Sequence, residues 1–98
     1  MTPTAGRIVY VFTDPRYNNG AGTAPAVITR AWDDGLVNVR VLYDGPSVPP
    51  EHRQDWLTSV PLYDSREEAE AAHAAKWEHV EPEVRPGHPF AAFWPPRV

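Results

Sequence analysis

Residues 24–44 contain two β-rich runs on either side of Asp33-Asp34-Gly35, a combination that predicts a β-hairpin. The composition of the two faces distinguishes the loop lengths. A two-residue loop would place Arg30 on the same face as the valines of the second run. A three-residue loop with Gly35 in a left-handed conformation would instead align uncharged side chains with those valines. The three-residue loop keeps Arg30 off the valine face, whereas a slip of one residue would exchange the two faces of the sheet. We therefore predict the three-residue loop.

This register gives the hairpin one buried face and one outer face. The buried face would carry Val27, Thr29, Ala31, Val37, Val39 and Val41. The other would carry Ile28, Arg30, Trp32, Leu36, Asn38, Arg40 and Leu42. There Arg30 and Arg40 would be diagonal neighbours, with Asn38 directly opposite Arg30. Diagonal side chains in a sheet lie about 7–8 Å apart, so two guanidinium groups can share one phosphate or carboxylate.

The second face of the hairpin is therefore the candidate ligand-binding site. Arg30 and Arg40 would bind the anion, and Asn38 would recognise a polar edge. Trp32 would stack on a flat ring. The same face is partly apolar, so the alternatives are a solubilising surface or a surface covered by a helix or a partner. That partner could be another copy of the chain in a homo-oligomer.

The loop at residues 14–23 supplies two further candidates. Its Asp-Pro, Asn-Gly and Gly-rich composition predicts turns, and loops of this length are often functional. Arg16 offers a cation and Tyr17 an aromatic ring for stacking. A solvated turn without a further function would have the same composition, so both interpretations stay open.

The remaining elements are three strands and one helix. Alternating apolar residues predict strands at residues 6–13 and 54–63, the second with an edge position or a bulge at Pro61. A capping-box pattern that begins at Ser65 predicts the start of the helix. Aromatic residues in the segment 89–98 predict a short last strand that pairs with the first.

These elements predict a single domain of mainly β class over residues 1–98. Short strands with one helix before the last of them favour a small, strongly bent, five-stranded antiparallel barrel of the Src-homology type. The helix would be an insertion at residues 65–79.

Composition excludes several classes of function. The chain has no cysteine and a formal net charge of −4, which excludes thiolate metal sites and disfavours non-specific nucleic-acid binding. No apolar run is long enough to span a membrane and no signal peptide is evident, so we expect a cytoplasmic protein without a membrane partner. The histidines lack metal-ligand spacing, and no serine has the context of a nucleophile. We expect neither an enzyme nor a bound metal or cofactor.

Short motifs along the chain resemble a group of small proteins encoded by tailed phages and prophages. The resemblance is carried by Gly6-Arg7-Ile8-Val9, Ala26-Val27-Ile28-Thr29, Val37-Asn38-Val39, Thr58-Ser59-Val60-Pro61 and Trp94-Pro95-Pro96-Arg97-Val98. The acidic helix departs from the pattern, where a short Gly-rich turn is expected. The resemblance implies a phage origin, a location in the host cytoplasm and a small β-barrel, and it supplies no catalytic residues.

The leading functional hypothesis from the sequence is a non-catalytic phage accessory protein that binds a small anionic, nucleotide-like ligand. By analogy with compact phage proteins that sequester nucleotide signals of host immunity, the ligand would be a host-defence signal. The alternative is a protein–protein adaptor, or an inhibitor of a host protein, acting through the same hairpin face and the acidic helix. A hydrolase of such nucleotides fits less well, because the residues for a metal or a nucleophile are missing.

Overall fold

The computed structural model describes residues 2–45, 49, 55–78 and 91–95. Its elements, in chain order, are β1 (Ile8–Phe12), a 3-10 turn (Pro15–Tyr17), β2 (Thr23–Ala31), β3 (Leu36–Val41), β4 (Trp56–Tyr63), α1 (Arg66–Trp77) and β5 (Ala92–Phe93). The strands form a closed barrel in the order β1-β2-β3-β4-β5. The prediction of a mainly β, five-stranded barrel with a helix before the last strand is confirmed.

One strand pairing makes the barrel mixed, where a fully antiparallel one was expected. β5 is antiparallel to β1 but parallel to β4, with Leu62 beside Ala92 and Tyr63 beside Phe93. The reason is the helix in the β4–β5 connection. Neighbouring parallel strands need a long crossover connection, which usually contains a helix, and α1 lies in this connection.

The interior of the barrel is lined by inward-facing residues from all five strands and by one tryptophan just after β5. They are Val9, Val11, Ala24, Ala26, Ile28, Val37, Val39, Val41, Leu57, Val60, Ala92 and Trp94. Most are β-branched or small, which suits a narrow, pleated interior. Burying one such aliphatic side chain typically contributes about 1.5–3 kcal/mol to folding.

The hairpin between β2 and β3 has the predicted three-residue loop. Ala31 pairs with Val37, and the Trp32 N–H donates to the Leu36 carbonyl at 2.9 Å. Gly35 then has a φ of +87°. Glycine tolerates this left-handed conformation because it has no Cβ. The loop length and the conformation of Gly35 are both confirmed.

Replacing Gly35 with valine is expected to lower the free energy of unfolding by about 1–3 kcal/mol. The cost would come from the backbone alone, since a Cβ at Gly35 would meet no atom within 4 Å. Gly22→Val is the matched control, because Gly22 has the same open space but no left-handed φ. Urea unfolding measures both variants. A native midpoint for Gly35→Val would contradict the assigned loop.

A β-bulge at Thr29 changes the predicted faces of β2. Arg30 pairs with Asn38, and Ile28 pairs with the next residue, Val39. Thr29 is therefore left without a partner in β3. One extra residue shifts the side-chain alternation by one position. Ile28 is therefore buried, while Val27 is partly exposed and Thr29 is exposed. The predicted inward positions of Val27 and Thr29 are wrong for this reason.

A second bulge interrupts β4 on the other side of β3. Two residues of β4, Thr58 and Ser59, lie opposite the single residue Asn38. Ser59 has a φ of +56°, which few residues other than glycine adopt. The sequence placed the irregularity at Pro61, which instead pairs with Leu36. Asn38 thus lies in β3 with a bulge in each neighbouring strand.

Helix α1 begins where the capping box predicts. Ser65 accepts a hydrogen bond from the Glu68 N–H at 3.2 Å, and acidic residues in the first turn suit the helix dipole. The predicted insertion extended to residue 79, which lies outside the described residues. The helix contacts mainly β4 and β5, where it helps to form a second apolar cluster. The buried members of that cluster are Phe12, Ala69, Ala91 and Phe93.

Candidate functional site

The outward side chains of β1 to β4, together with Trp32 and Leu42 just beyond the ends of β2 and β3, form one continuous surface, which we call the outer face. Strand pairing arranges it in rows, and one row runs across all four strands through Ile8, Val27, Arg40 and Trp56. The neighbouring rows contain Pro25, Thr29, Arg30, Trp32, Asn38, Leu42 and Thr58. Among the described residues, the large hydrophobic side chains that remain exposed, by 37% to 49%, are Ile8, Trp32, Leu42 and Trp56. All four of these side chains lie in the rows of the outer face.

Trp32 and Arg30 form a stacked pair at the loop end of the outer face. The guanidinium carbon of Arg30 lies 4.0 Å from the centre of the Trp32 ring, within the range of a cation–π contact. The indole Nε1 of Trp32 donates to Oδ1 of Asn38 at 2.9 Å. This hydrogen bond fixes the ring against the sheet. The structure thus brings together Arg30, Trp32 and Asn38, three of the residues that the sequence predicts for the ligand-binding site.

Asn38 holds the centre of this arrangement. It is only 7% exposed, although it belongs to the outer side of β3. Its Oδ1 accepts three hydrogen bonds of 2.9 Å, from Trp32 Nε1, the Thr58 hydroxyl and the Ser59 N–H. The last of these satisfies a backbone donor that the bulge removes from the regular ladder. The Asn38 oxygen therefore supports Trp32 and the bulge, and direct contact of Asn38 with a ligand stays a prediction.

Trp56 is an outer-face residue that the sequence did not single out. It lies opposite Arg40, and its Nε1 donates to the Thr29 hydroxyl at 3.3 Å. Since β3 lies between β2 and β4, the indole crosses the outer side of β3 to make this bond. Alternation within β4 was the only sequence signal for an outward Trp56. Its partner Thr29 faces outward only because of the bulge.

Arg30 and Arg40 are both exposed on the outer face. In the strand register they are diagonal neighbours, as predicted, because Arg30 pairs with Asn38 and Arg40 lies two residues further along β3. The indole of Trp56 runs from the level of Arg40 to Thr29, which is next to Arg30. Arg30 therefore lies on the Trp32 ring, whereas Arg40 lies opposite Trp56 in the strand register.

Arg16 and Tyr17 lie at the opposite end of β2 from the stacked pair. A nine-residue strand is about 26 Å long, so these two residues do not share a site with Trp32. The Arg16 Nε donates to both carboxylate oxygens of Asp14, at 3.0 and 2.9 Å. The hydrogen bonds from Arg16 hold the pKa of Asp14 below its ordinary value. Arg16 also lies 5.2 Å from the Tyr17 ring, so it takes part in the structure of the loop.

Asn18 holds this loop in place, and sequence reasoning missed its burial. Its Nδ2 donates to the Thr13 hydroxyl and to the carbonyls of Ala21 and Thr23 at 3.0 to 3.2 Å. Its Oδ1 accepts from the Asp44 N–H at 2.7 Å, which ties the loop to the end of the hairpin. An Asn-Asn-Gly run predicts a turn but does not tell which amide is buried.

Within the ranges that the structure describes, no group of three or more histidine, aspartate or glutamate side chains is placed to hold a metal ion. No helix in those ranges is long and apolar enough to cross a membrane.

Comparisons with protein-family models, with curated proteins and with solved structures found no match. The resemblance to small phage proteins stays a prediction, and so do the phage origin and the location in the host cytoplasm. What the protein binds has to be inferred from the outer face itself.

Proposed function

We propose that the protein is a non-catalytic binding module whose outer face docks a partner protein. The observation that carries this proposal is the position of the exposed Ile8, Trp32, Leu42 and Trp56 on one face. Exposed apolar patches mark interaction surfaces in soluble proteins. Tryptophan and arginine are also the residue types that most often dominate the energy of an interface.

Both indoles are held in place before a partner binds. The N–H of Trp32 is bonded to Asn38, and the N–H of Trp56 is bonded to Thr29. Each ring thus presents apolar surface without an unsatisfied donor. A side chain that is already ordered loses less conformational entropy on binding, which favours a fixed aromatic surface as a docking site.

The size of the outer face supports a modest interface. Rows on one side of a strand are about 7 Å apart and neighbouring strands about 4.8 Å apart, so the rows from Trp32 to Leu42 cover roughly 20 × 15 Å. A standard stable interface buries about 800 Å² on each partner. The outer face is smaller than this, which favours transient docking or binding of a short segment.

The geometry favours the adaptor alternative over the small-ligand hypothesis. That hypothesis required two guanidinium groups that converge on one anion. Arg30 instead lies over the Trp32 ring, and the Trp56 indole, which starts opposite Arg40, reaches across β3 to the Thr29 hydroxyl next to Arg30. A nucleotide-like ligand, including a host-defence signal, is an outcome that the following experiment can reveal.

The experiment selects binders from a displayed library of random short peptides, with the native protein as target. Selected peptides are expected to bind Trp56→Ser at least about 10-fold more weakly, because tryptophans at interface centres often contribute about 2 kcal/mol or more. Tyr17→Ser, at the far end of β2, is the control and should bind like the native protein. Calorimetric titration of each purified variant gives the affinities.

Peptides that bind Trp56→Ser as tightly as the native protein would place the binding surface elsewhere and overturn the proposal. Mono-, di- and cyclic nucleotides are titrated in parallel. Tight nucleotide binding that Arg40→Ala weakens, with no selected peptides, would support the small anionic ligand in place of a partner protein.

A further inference from the structure

The charged side chains of the outer face are all cations. Among the described residues that point outward from β1 to β4, the charged ones are Arg30 and Arg40, and no carboxylate lies in these rows. The whole chain carries a net charge of −4. The face therefore has the opposite sign to the molecule. An acidic partner is attracted to it and repelled by the rest of the surface, which sets the orientation of docking.

Both guanidinium groups present donors to a partner. Arg30 lies over the face of the Trp32 ring, with its guanidinium carbon 4.0 Å from the ring centre, and a guanidinium group carries five N–H donors. The ion pairs seen in the described part of the chain involve Arg16 and Arg66, not Arg40. A carboxylate matches the guanidinium fork and can accept two hydrogen bonds from it. The donors of the outer face thus fit aspartate or glutamate side chains.

Resting on the proposed function, we infer that the partner contributes a short, extended, acidic segment with apolar anchors. Its apolar side chains pack on Trp56, Leu42 and Ile8, and its carboxylates accept hydrogen bonds from Arg30 and Arg40. The face is roughly 20 Å long, which accommodates about six residues of extended chain at about 3.3 Å per residue.

Two other occupants fit less well. A single-stranded nucleic acid offers rings and anions, but its affinity depends on many phosphate contacts, and the outer face has two arginines on an acidic protein. A second copy of the chain docked face to face would bring four arginines together without a carboxylate between them. Charge complementarity therefore favours the acidic segment.

The test selects the same peptide library against two targets, the native protein and the double variant Arg30→Glu/Arg40→Glu. Native protein is expected to enrich aspartate and glutamate next to apolar residues, and the double variant to enrich lysine and arginine. Changing the acidic residues of a selected peptide to their amides should weaken native binding about 10–100-fold, the usual effect of losing charge-assisted hydrogen bonds. Arg40→Ala, which removes one charge without reversing it, should show a smaller loss of the same kind.

Lys76→Glu on helix α1 is the control for reversing one charge away from the outer face and should select the same acidic peptides as the native protein. Apolar peptides without acidic residues would overturn the inference while the proposed function stands. Peptides that bind Trp56→Ser and the arginine variants as tightly as the native protein would overturn both the inference and the proposed function. Binding of oligothymidylate, or a concentration-dependent dimer that Trp56→Ser abolishes, would identify a nucleic acid or a second copy as the occupant and overturn the inference.

Discussion

Deleting residues 89–98 is expected to abolish cooperative folding, because the deletion removes β5 and two buried aromatic rings. Phe93 is 3% exposed and Trp94 is 6% exposed. Losing one buried ring typically costs about 3–5 kcal/mol, and an ordinary domain has about 5–15 kcal/mol of stability in total. The deletion also opens the barrel, because β5 joins β1 to β4. Urea titration followed by near-ultraviolet circular dichroism should then show no cooperative transition.

Single substitutions separate the loss of the rings from the loss of the strand. Trp94→Ala should lower the free energy of unfolding by about 3–5 kcal/mol. Trp56→Ala, at an exposed indole with one hydrogen bond, should lower it by about 1 kcal/mol or less. A truncated protein that stays monomeric, with the native midpoint and m-value, would show that residues 89–98 do not complete the barrel.

Replacing Asn38 with leucine should lower the free energy of unfolding by about 2–4 kcal/mol. The substitution removes the oxygen that accepts from Trp32, Thr58 and Ser59. The exposed Trp32 and Thr58 can turn their donors toward water, whereas the backbone N–H of Ser59 is fixed in the bulge. For a domain of this size, the loss corresponds to a fall in Tm of about 10–25 °C. Thermal unfolding by circular dichroism measures it.

Asn38→Asp is the matched control, because a carboxylate keeps an acceptor oxygen at the same position. We expect this variant to retain more than half of the stability that Asn38→Leu loses. Acrylamide quenching provides a second readout, since the ring of Trp32 should become more accessible in Asn38→Leu than in Asn38→Asp. Equal losses in the two variants would show that the bonds to Oδ1 are not the source of the stability.

The features that the sequence predicts correctly depend on neighbouring residues. Asp33-Asp34-Gly35 and the alternating valines determine the hairpin loop without information from elsewhere in the chain. The start of α1 is equally local, because Ser65 and Glu68 are three positions apart. The number of strands and their burial pattern then leave a small closed barrel as the favoured arrangement.

The bulges could not be predicted, because their cause lies in other strands. A strand pattern assumes a period of two, nothing around Thr29 indicates an extra residue, and Pro61 predicts an edge position or a bulge in β4 without giving its place at Ser59. The side chain of Asn38 supports the bulge in β4 through the Ser59 N–H. This contact joins residues 21 positions apart, so it becomes visible only when β3 and β4 are paired.

The candidate site was predictable near the hairpin loop and not beyond the Thr29 bulge. Arg30 and Asn38 pair as expected because the loop fixes their register. Trp56 comes from a strand whose position relative to β2 depends on the order of the whole barrel. Tyr17 was grouped with these residues by chemistry alone, and the length of β2 separates it from them.

The strand that closes the barrel also affects how the chain folds. β5 places Phe93 beside Tyr10, so this pairing joins residues separated by most of the sequence. Such contacts form only after a large loss of chain entropy, and proteins dominated by them fold slowly, in about milliseconds to seconds. The β2–β3 hairpin forms from residues close in sequence, so we expect the hairpin to form first and the barrel to close last. Before closure we expect the interior valines to be exposed to water, so the rate of closure would determine how long the chain is prone to aggregation.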